Sequence, residues 1–156
     1  MFPQDFNIKL LRAIPLFSSL SDEDLEFMRP ALRRQKSEAG EVVVREGDSA
    51  DRLFVVTNGE VQVVKNYLEP GAQTVDVLGP GSFFGEMALV GDDNTRSATV
   101  LTTEESRFIT LDRDSFHSLV MQRPMLALAL VKEAFRRVRQ ANEIIASLQA
   151  AQGMDE

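Results

Sequence analysis

Residues 81–90 read Gly-Ser-Phe-Phe-Gly-Glu-Met-Ala-Leu-Val, and residues 95–100 read Thr-Arg-Ser-Ala-Thr-Val. Glycine lets the backbone approach a ligand closely, and the segment from Gly85 to Leu89 is predicted to form one helical turn with unpaired N–H groups at its start. Glu86 supplies a hydrogen-bond acceptor, and Arg96 supplies a cationic fork that suits a phosphate. Together the two segments predict a pocket for a small anion.

Two other kinds of site are disfavoured by the residue types present. Gly79, Gly81 and Gly85 do not match the dinucleotide-binding spacing, and no Gly-Lys-Ser/Thr sequence ends a phosphate loop. The chain has no cysteine and one histidine, His117, so a metal-dependent enzyme of the cupin type, which needs several histidines, is nearly excluded. His117 itself is predicted to be an ordinary surface or partly buried histidine.

Composition limits the class of protein. With 156 residues, of which 44% are hydrophobic and 26% charged, the chain is expected to form one domain with a sizeable core. A formal net charge of -7 argues against a nucleic-acid surface, which needs a basic face. Because no stretch has the length and apolar character of a membrane span or a secretion leader, we expect a cytoplasmic protein that contacts neither nucleic acid nor membrane.

The first segment, residues 1–30, carries helical signals. Ser21-Asp22-Glu23-Asp24 resembles a capping box, and Pro15 and Pro30 mark places where a helix is interrupted. We therefore predict two short helices joined by Pro15-Leu16-Phe17.

The second segment, residues 31–111, consists of short β-type runs separated by turn residues. The predicted strands are residues 42–44, 53–57, 60–65, 73–78, 98–102 and 106–111. Asn58-Gly59 is the clearest turn, because both residues tolerate the positive φ of a two-residue hairpin. Many short strands without intervening helices favour a mainly β fold, an antiparallel β-roll or jelly roll (double-stranded β-helix), over a parallel α/β sheet.

The third segment, residues 112–151, returns to a helical pattern. Asp112 is predicted to cap a short helix, and Pro124 suits the first turn of a second, longer one. The second helix carries one apolar stripe, formed by Val131, Phe135, Val138, Ala141, Ile145 and Leu148. Residues 152–156 are predicted to be a tail without regular structure.

The sequence from Phe84 to Leu89, followed ten residues after Glu86 by Arg96 to Val100, resembles the phosphate-binding cassette of cyclic-nucleotide-binding domains. The resemblance extends to Ala50-Asp51-Arg52-Leu53-Phe54, to Asn58-Gly59-Glu60-Val61 and to the helices, so that it covers nearly the whole chain. The chain is similar to the sensor domain of catabolite-activator-type regulators and of cyclic-nucleotide-gated channels, without their output domains.

The resemblance implies a role for each residue of the cassette. Glu86 is expected to accept a hydrogen bond from the ribose 2′-hydroxyl, and Arg96 to pair with the exocyclic phosphate oxygens. Backbone N–H groups near Ala88, Ser97 and Ala98, together with the Ser97 hydroxyl, are expected to complete the phosphate site. Phe84, Gly85 and Met87 belong to the same site.

The base is expected to be covered by the last helix. Alignment without gaps from Arg96 places the lid arginine of bacterial channel domains at Arg137 and the base-contacting positions of the transcription-factor branch at Ala141 and Asn142. Ser97 leaves the choice between cyclic AMP and cyclic GMP open, and cyclic AMP is favoured only because it is the commoner ligand. The alternative for the arginines of this helix is a solvated surface.

The resulting prediction is a non-catalytic cyclic-nucleotide receptor without a cofactor, which signals to an unknown protein effector through movement of the lid helix. One alternative is a regulatory fragment of a larger effector, such as a channel or kinase. Another is a degenerate interaction module in which Val131, Val138 and Ile145 form the seam of a homodimer. The stripe could instead pack on the β-roll of its own chain.

Overall fold

The computed structural model describes residues 6–91 and 94–154. Four helices are found in these ranges: α1 (Ile8–Ala13), α2 (Asp22–Met28), α3 (Arg113–Gln122) and α4 (Met125–Met154). The strands are β1 (Arg33–Ser37), β2 (Val42–Val44), β3 (Arg52–Asn58), β4 (Val61–Lys65), β5 (Gln73–Leu78), β6 (Phe83–Phe84), β7 (Thr99–Thr102) and β8 (Ser106–Asp112). Three 3-10 turns lie at Pro15–Phe17, Arg29–Ala31 and Glu86–Leu89.

The strands form two four-stranded sheets with the orders β1-β8-β3-β6 and β2-β7-β4-β5. The neighbouring strands pair antiparallel, which confirms the predicted antiparallel β-roll with flanking helices. The prediction lacked β1 and β6. Strand β1 reads Arg-Arg-Gln-Lys-Ser and has no apolar alternation, and β6 contains only two residues, so neither shows the period-2 pattern that identifies a strand.

The first sheet separates two hydrophobic clusters. Successive residues of β3 point to opposite faces, so that Leu53 and Val55 join one cluster and Phe54 and Val56 join the other. The larger cluster lies between this sheet and the helices, and the smaller one lies between the two sheets. The rings of Phe54 and Phe84 stack in the smaller cluster with centroids 4.8 Å apart.

The hairpin predicted at Asn58-Gly59 is wrong. Strand β3 pairs with β8 and β6, and β4 pairs with β7 and β5, so the chain crosses at this point from one sheet to the other. Both edges of β3 are already occupied, which leaves no place for β4 beside it. Gly59 has a φ of 90°, and a Cβ at this residue would lie 2.3 Å from the Ser106 Oγ atom, so a glycine is required for the crossing.

The predicted helix caps are found. The Ser21 side chain accepts a hydrogen bond of 3.1 Å from the Asp24 N–H, and the Asp112 side chain accepts one of 2.8 Å from the Ser115 N–H. Helix α4 continues to Met154, beyond the boundary predicted at residue 151. The alanines and glutamine that precede Gly153 are good helix formers, which accounts for the extension.

The apolar stripe of α4 does not pack on the β-roll of its own chain. Leu126 and Ala129 are buried in the larger cluster, but the exposed fraction is 43% at Val131 and 58% at Val138. A helix of 30 residues is about 45 Å long, whereas a small domain has a diameter of about 30 Å. The far half of α4 therefore extends past the roll.

Candidate functional site

A cavity of about 470 Å³ opens beside the Glu86–Leu89 turn. All eight residues predicted for the phosphate and ribose site line it: Phe84, Gly85, Glu86, Met87, Ala88, Arg96, Ser97 and Ala98. The structure thus brings together two segments that are ten residues apart in the sequence.

The segment that carries Arg96 is fixed by backbone hydrogen bonds to residues 47–50. The Arg96 N–H donates to the Asp48 carbonyl at 2.8 Å, and the Gly47 N–H donates to the Arg96 carbonyl at 2.8 Å. A third bond joins the Ala50 N–H to the Asn94 carbonyl at 3.0 Å. These bonds hold the backbone at Arg96 in one orientation, so its side chain enters the cavity wall.

Arg96 is a buried cation. Only 7% of the residue is exposed, and its Nη1 donates to the Arg52 carbonyl at 3.1 Å. The Asp51 Oδ1 atom lies 3.7 Å from Nη2, which is longer than a hydrogen bond. Burial lowers the pKa of the Arg96 guanidinium, and the nearby positive charge of Arg52 lowers it further, while Asp51 raises it. An anion in the cavity would offset this cost of burying a charge.

Asp51 is held mainly by its neighbour in the sequence. The Arg52 Nε and Nη2 atoms donate to its two carboxylate oxygens at 3.0 Å and 2.9 Å. This hydrogen bonding with Arg52 lowers the pKa of Asp51, and Arg96 contributes in the same direction. Asp51 therefore stays ionised beside Arg96 without forming a close pair with it.

Gly85 allows the Glu86–Leu89 turn to start next to the arginine. Its φ is 80°, in the left-handed region that favours glycine. A Cβ at this residue would lie 2.5 Å from the Arg96 Nη1 and 3.0 Å from the Arg52 carbonyl oxygen. Any side chain at residue 85 would thus displace the guanidinium.

The turn that follows is a 3-10 helix, and this affects one expected donor. The Ala88 N–H donates to the Gly85 carbonyl at 3.0 Å, so that it is engaged inside the turn. Glu86 is half-buried in the cavity wall and Met87 is 63% exposed at its rim. Ser97 is exposed, and its carbonyl accepts a hydrogen bond from the Lys65 ammonium group.

Sequence reasoning missed the apolar wall of the cavity. Val44, Val63, Val75 and Leu78 line it from the second sheet. The alternation of Val75 and Val77 in β5 indicates a strand, but not which face of the strand meets a ligand. That information depends on the pairing of β5 with β4, which is not visible in the sequence.

Two of the three predicted lid residues, Ala141 and Asn142, are not at the cavity. Ala141 and Asn142 are exposed on α4, and among the described residues none of α4 lines the cavity. Arg137 belongs to α4, but its side chain lies outside the part that the structure describes. A contact of Ala141 or Asn142 with a ligand in the cavity would require α4 to move.

Metal-binding clusters and membrane-spanning helices are both absent from residues 6–91 and 94–154. No group of three or more His, Asp or Glu side chains in residues 6–91 and 94–154 is arranged to hold a metal ion. None of the helices in the same ranges has the length and apolar character needed to cross a membrane.

Comparison with known proteins shows which domain family the sequence matches. The sequence profile described as "Cyclic nucleotide-binding domain" matches residues 34–123. The chain is 30% identical over 132 residues to the cyclic AMP receptor protein of Thermus thermophilus, a match that covers 85% of this chain and 61% of that protein. It is 37% identical over 132 residues to a cyclic nucleotide-gated potassium channel of Mesorhizobium japonicum, covering 84% of this chain and 35% of the channel.

A solved structure shows the same fold. The N-terminal domain of a transcriptional regulator from Streptomyces coelicolor superimposes with a TM-score of 0.71 at 31% identity, over 87% of this chain and 94% of that domain. The chain spans 61% and 62% of the lengths of the first two curated relatives, which are therefore longer proteins.

Proposed function

Because the chain belongs to the cyclic nucleotide-binding domain family, we propose that it is a non-catalytic receptor for a cyclic nucleotide, with cyclic AMP favoured over cyclic GMP. The observation that carries the proposal is the buried guanidinium of Arg96 in the wall of a cavity of about 470 Å³. A cyclic phosphodiester carries one negative charge and accepts charge-assisted hydrogen bonds from such a group.

In this proposal the two walls of the cavity have separate tasks. Arg96 binds the exocyclic phosphate oxygens, with the Ser97 hydroxyl and the N–H group of Ala98 as further donors. Glu86 accepts from the ribose 2′-hydroxyl. The valines of the second sheet contact the base, which is the apolar part of the ligand and fits the hydrophobic lining there.

The signal is proposed to be a displacement of α4. Ala141 and Asn142 would contact the base only after α4 approaches the cavity, and Arg137 is proposed to contact the base in that same position of the helix. A ligand shifts such an equilibrium only by its difference in affinity for the two positions of the helix. The relatives named as a receptor protein and as a gated channel support a regulatory role, and the effector of this chain is proposed to be a protein.

The test is calorimetric titration with cyclic AMP and cyclic GMP. We expect binding by the unmodified chain and a loss of about 2–4 kcal/mol in Arg96→Ala, because a desolvated charge pair is removed. Glu86→Ala is expected to weaken binding through the lost ribose contact. Arg107→Ala, at a position where 60% of the side chain is exposed, is the matched control and should bind like the unmodified chain. Equal affinity in Arg96→Ala and Arg107→Ala would refute the proposed site.

A second candidate function is supported by the exposed stripe of α4. Phe135, Ile145 and Leu148 are 66%, 51% and 65% exposed, which is costly for a helix that remains alone in water. The stripe could pair with that of a second copy, with Val131 and Val138 at the seam. In this alternative the chain is an interaction module, or the regulatory part of a larger effector.

Sedimentation of the chain with and without ligand separates these candidates. A dimer that Val138→Asp converts to a monomer supports pairing through the stripe. If the unmodified chain binds neither nucleotide but is dimeric, the interaction module is the better description. Dimerisation together with binding is compatible with the receptor.

A further inference from the structure

Two polar side chains of α3 bind the Glu86–Leu89 turn. The Arg113 Nε atom donates to the Ala88 carbonyl at 2.8 Å, and the His117 Nε2 atom lies 2.8 Å from the Leu89 carbonyl oxygen. A carbonyl oxygen only accepts, so His117 Nε2 carries the hydrogen. Since residues four apart lie on one face of a helix, the two side chains approach the turn side by side.

Arg113 occupies an electrostatically poor position in its own helix. It is the first residue of α3, where the positive end of the helix dipole disfavours a cation. Its guanidinium instead reaches the Ala88 carbonyl near the C-terminal end of the Glu86–Leu89 turn, where a positive charge is favourable. The presence of an arginine at residue 113 is thus explained by its hydrogen bond to the turn and not by a contribution to the stability of α3.

The same arginine also binds the chain segment that supports Arg96. Arg113 Nη2 donates to the Ala50 carbonyl at 2.6 Å, and the Arg113 N–H donates to the Asp51 carbonyl at 2.9 Å. The next carbonyl, that of Arg52, accepts from Arg96 at 3.1 Å. Residues 50–52 are therefore bound by Arg96 from the cavity and by Arg113 from α3.

We propose that Arg113 and His117 are positioning residues that fix the Glu86–Leu89 turn and residues 50–52 to the first turns of α3. A shift of the turn when a phosphate binds is then passed to α3 through two side-chain hydrogen bonds, and the bond from Arg113 to the Ala50 carbonyl links residues 50–52 to the same helix. Helix α4 begins three residues after α3 ends, so it follows the displacement. This inference rests on the proposed function. It assigns the transmission of the displacement from the turn to α3 to two residues that do not line the cavity.

The experiment measures the displacement of α4 directly. Because the chain has no cysteine, Glu104→Cys and Arg139→Cys place one spin label on the roll and one on α4 without side reactions. The distance between the labels is measured without ligand and at saturating cyclic AMP. The variants are Arg113→Gln, Arg113→Lys and His117→Ala, and His117→Gln tests rescue by another N–H donor.

Arg33→Gln is the matched control. Arg33 also donates to two backbone carbonyls, those of Pro30 at 2.7 Å and Leu32 at 3.0 Å, but it lies away from the turn. We expect Arg113→Gln to reduce the ligand-induced change in distance by at least about half and the affinity by up to about tenfold, the effect of losing two hydrogen bonds. Arg33→Gln should leave both quantities unchanged.

The outcomes are distinct. A full change in distance at saturation in both Arg113→Gln and His117→Ala overturns the inference, even if the melting temperature falls, because the residues are then merely structural. Binding without any change in distance in the unmodified chain also overturns it. Absence of binding refutes the proposed function instead, and the inference with it. If Arg113→Gln does not fold, the same distance measurement on Arg113→Lys and His117→Ala tests the inference.

Discussion

Arg96 combines a proposed binding role with a cost to folding. Its burial lowers the pKa of the guanidinium, and replacing a buried charge by an apolar side chain of similar length is often neutral or stabilising. We expect Arg96→Met without ligand to have a free energy of unfolding equal to that of the unmodified chain or up to about 1 kcal/mol higher. The rise in melting temperature with cyclic AMP should disappear. Thermal melts with and without ligand measure both quantities, and a retained ligand effect would contradict the role of Arg96.

Gly85 and Gly40 form a matched pair, because both have a φ of 80°. A Cβ at Gly40 meets nothing within 4 Å, whereas one at Gly85 lies 2.5 Å from the Arg96 Nη1. We expect Gly40→Ala to cost about 1 kcal/mol of stability, the strain of a positive φ. Gly85→Ala should cost at least about 2 kcal/mol and also weaken nucleotide binding. Chemical denaturation and calorimetry test this, and equal effects of the two substitutions would show that the contact with Arg96 is unimportant.

The residues of the site could be predicted in part from the sequence. Glu86 and Arg96 stand out because they lie ten residues apart in one stretch that also contains Gly81, Gly85 and Gly91. The apolar wall could not be predicted, since Val44, Val63 and Val75 come from strands distant in the chain. Whether Arg113 and His117 touch the turn depends in the same way on packing between distant segments.

Among the elements, the junction of α3 and α4 is bound to the N-terminal helices. Arg123 caps the end of α3, donates to Asp24 at 2.8 Å and to Glu23 at 3.2 Å, and lies 4.5 Å from the ring centroid of Phe27. Hydrogen bonding with Asp24 raises the pKa of Arg123, so the guanidinium is charged at every accessible pH.

We expect Arg123→Ala to lower the melting temperature, and to lower it less at high ionic strength because salt screens exposed ion pairs. The residual effect at high salt reports the contact with Phe27. Lys36→Ala, which removes the exposed pairs of Lys36 with Glu38 and Glu105, is the control at a site away from the junction. A loss that does not change with salt would mean that the ion pairs contribute nothing.

The elements themselves were predictable where local signals are strong. The caps at Ser21 and Asp112 follow from side-chain chemistry, and strands β2, β3, β4, β5, β7 and β8 follow from runs of β-type residues bounded by turn residues. The partner of each strand does not, because pairing joins residues far apart in the chain. The error at Asn58-Gly59 shows this, since a good local hairpin signal occurs where the chain leaves one sheet for the other.

For the whole molecule, the far half of α4 is expected to contribute little to the stability of a single chain. A chain that ends at Gln140 retains the buried Leu126, Ala129 and Glu133. Its free energy of unfolding at low protein concentration should agree with that of the full chain within about 0.5 kcal/mol, since exposed residues rarely contribute more. Urea titrations at two protein concentrations measure this.

A concentration-dependent midpoint in the full chain but not in the shortened one would locate self-association in residues 141–156. A loss of more than about 2 kcal/mol at low concentration would contradict the exposed position of the helix.

The separation of two hydrophobic clusters by one sheet has a consequence for how domains of this fold can be recombined. Leu53 and Val55 face the helices, while Phe54 and Val56 face the second sheet. A chimaera that takes its helices from one parent and its second sheet from another needs compatible side chains only on alternate positions of the shared strands. The second sheet and the helices can thus be exchanged separately, provided that the new α3 supplies partners for the carbonyls of Ala88 and Leu89.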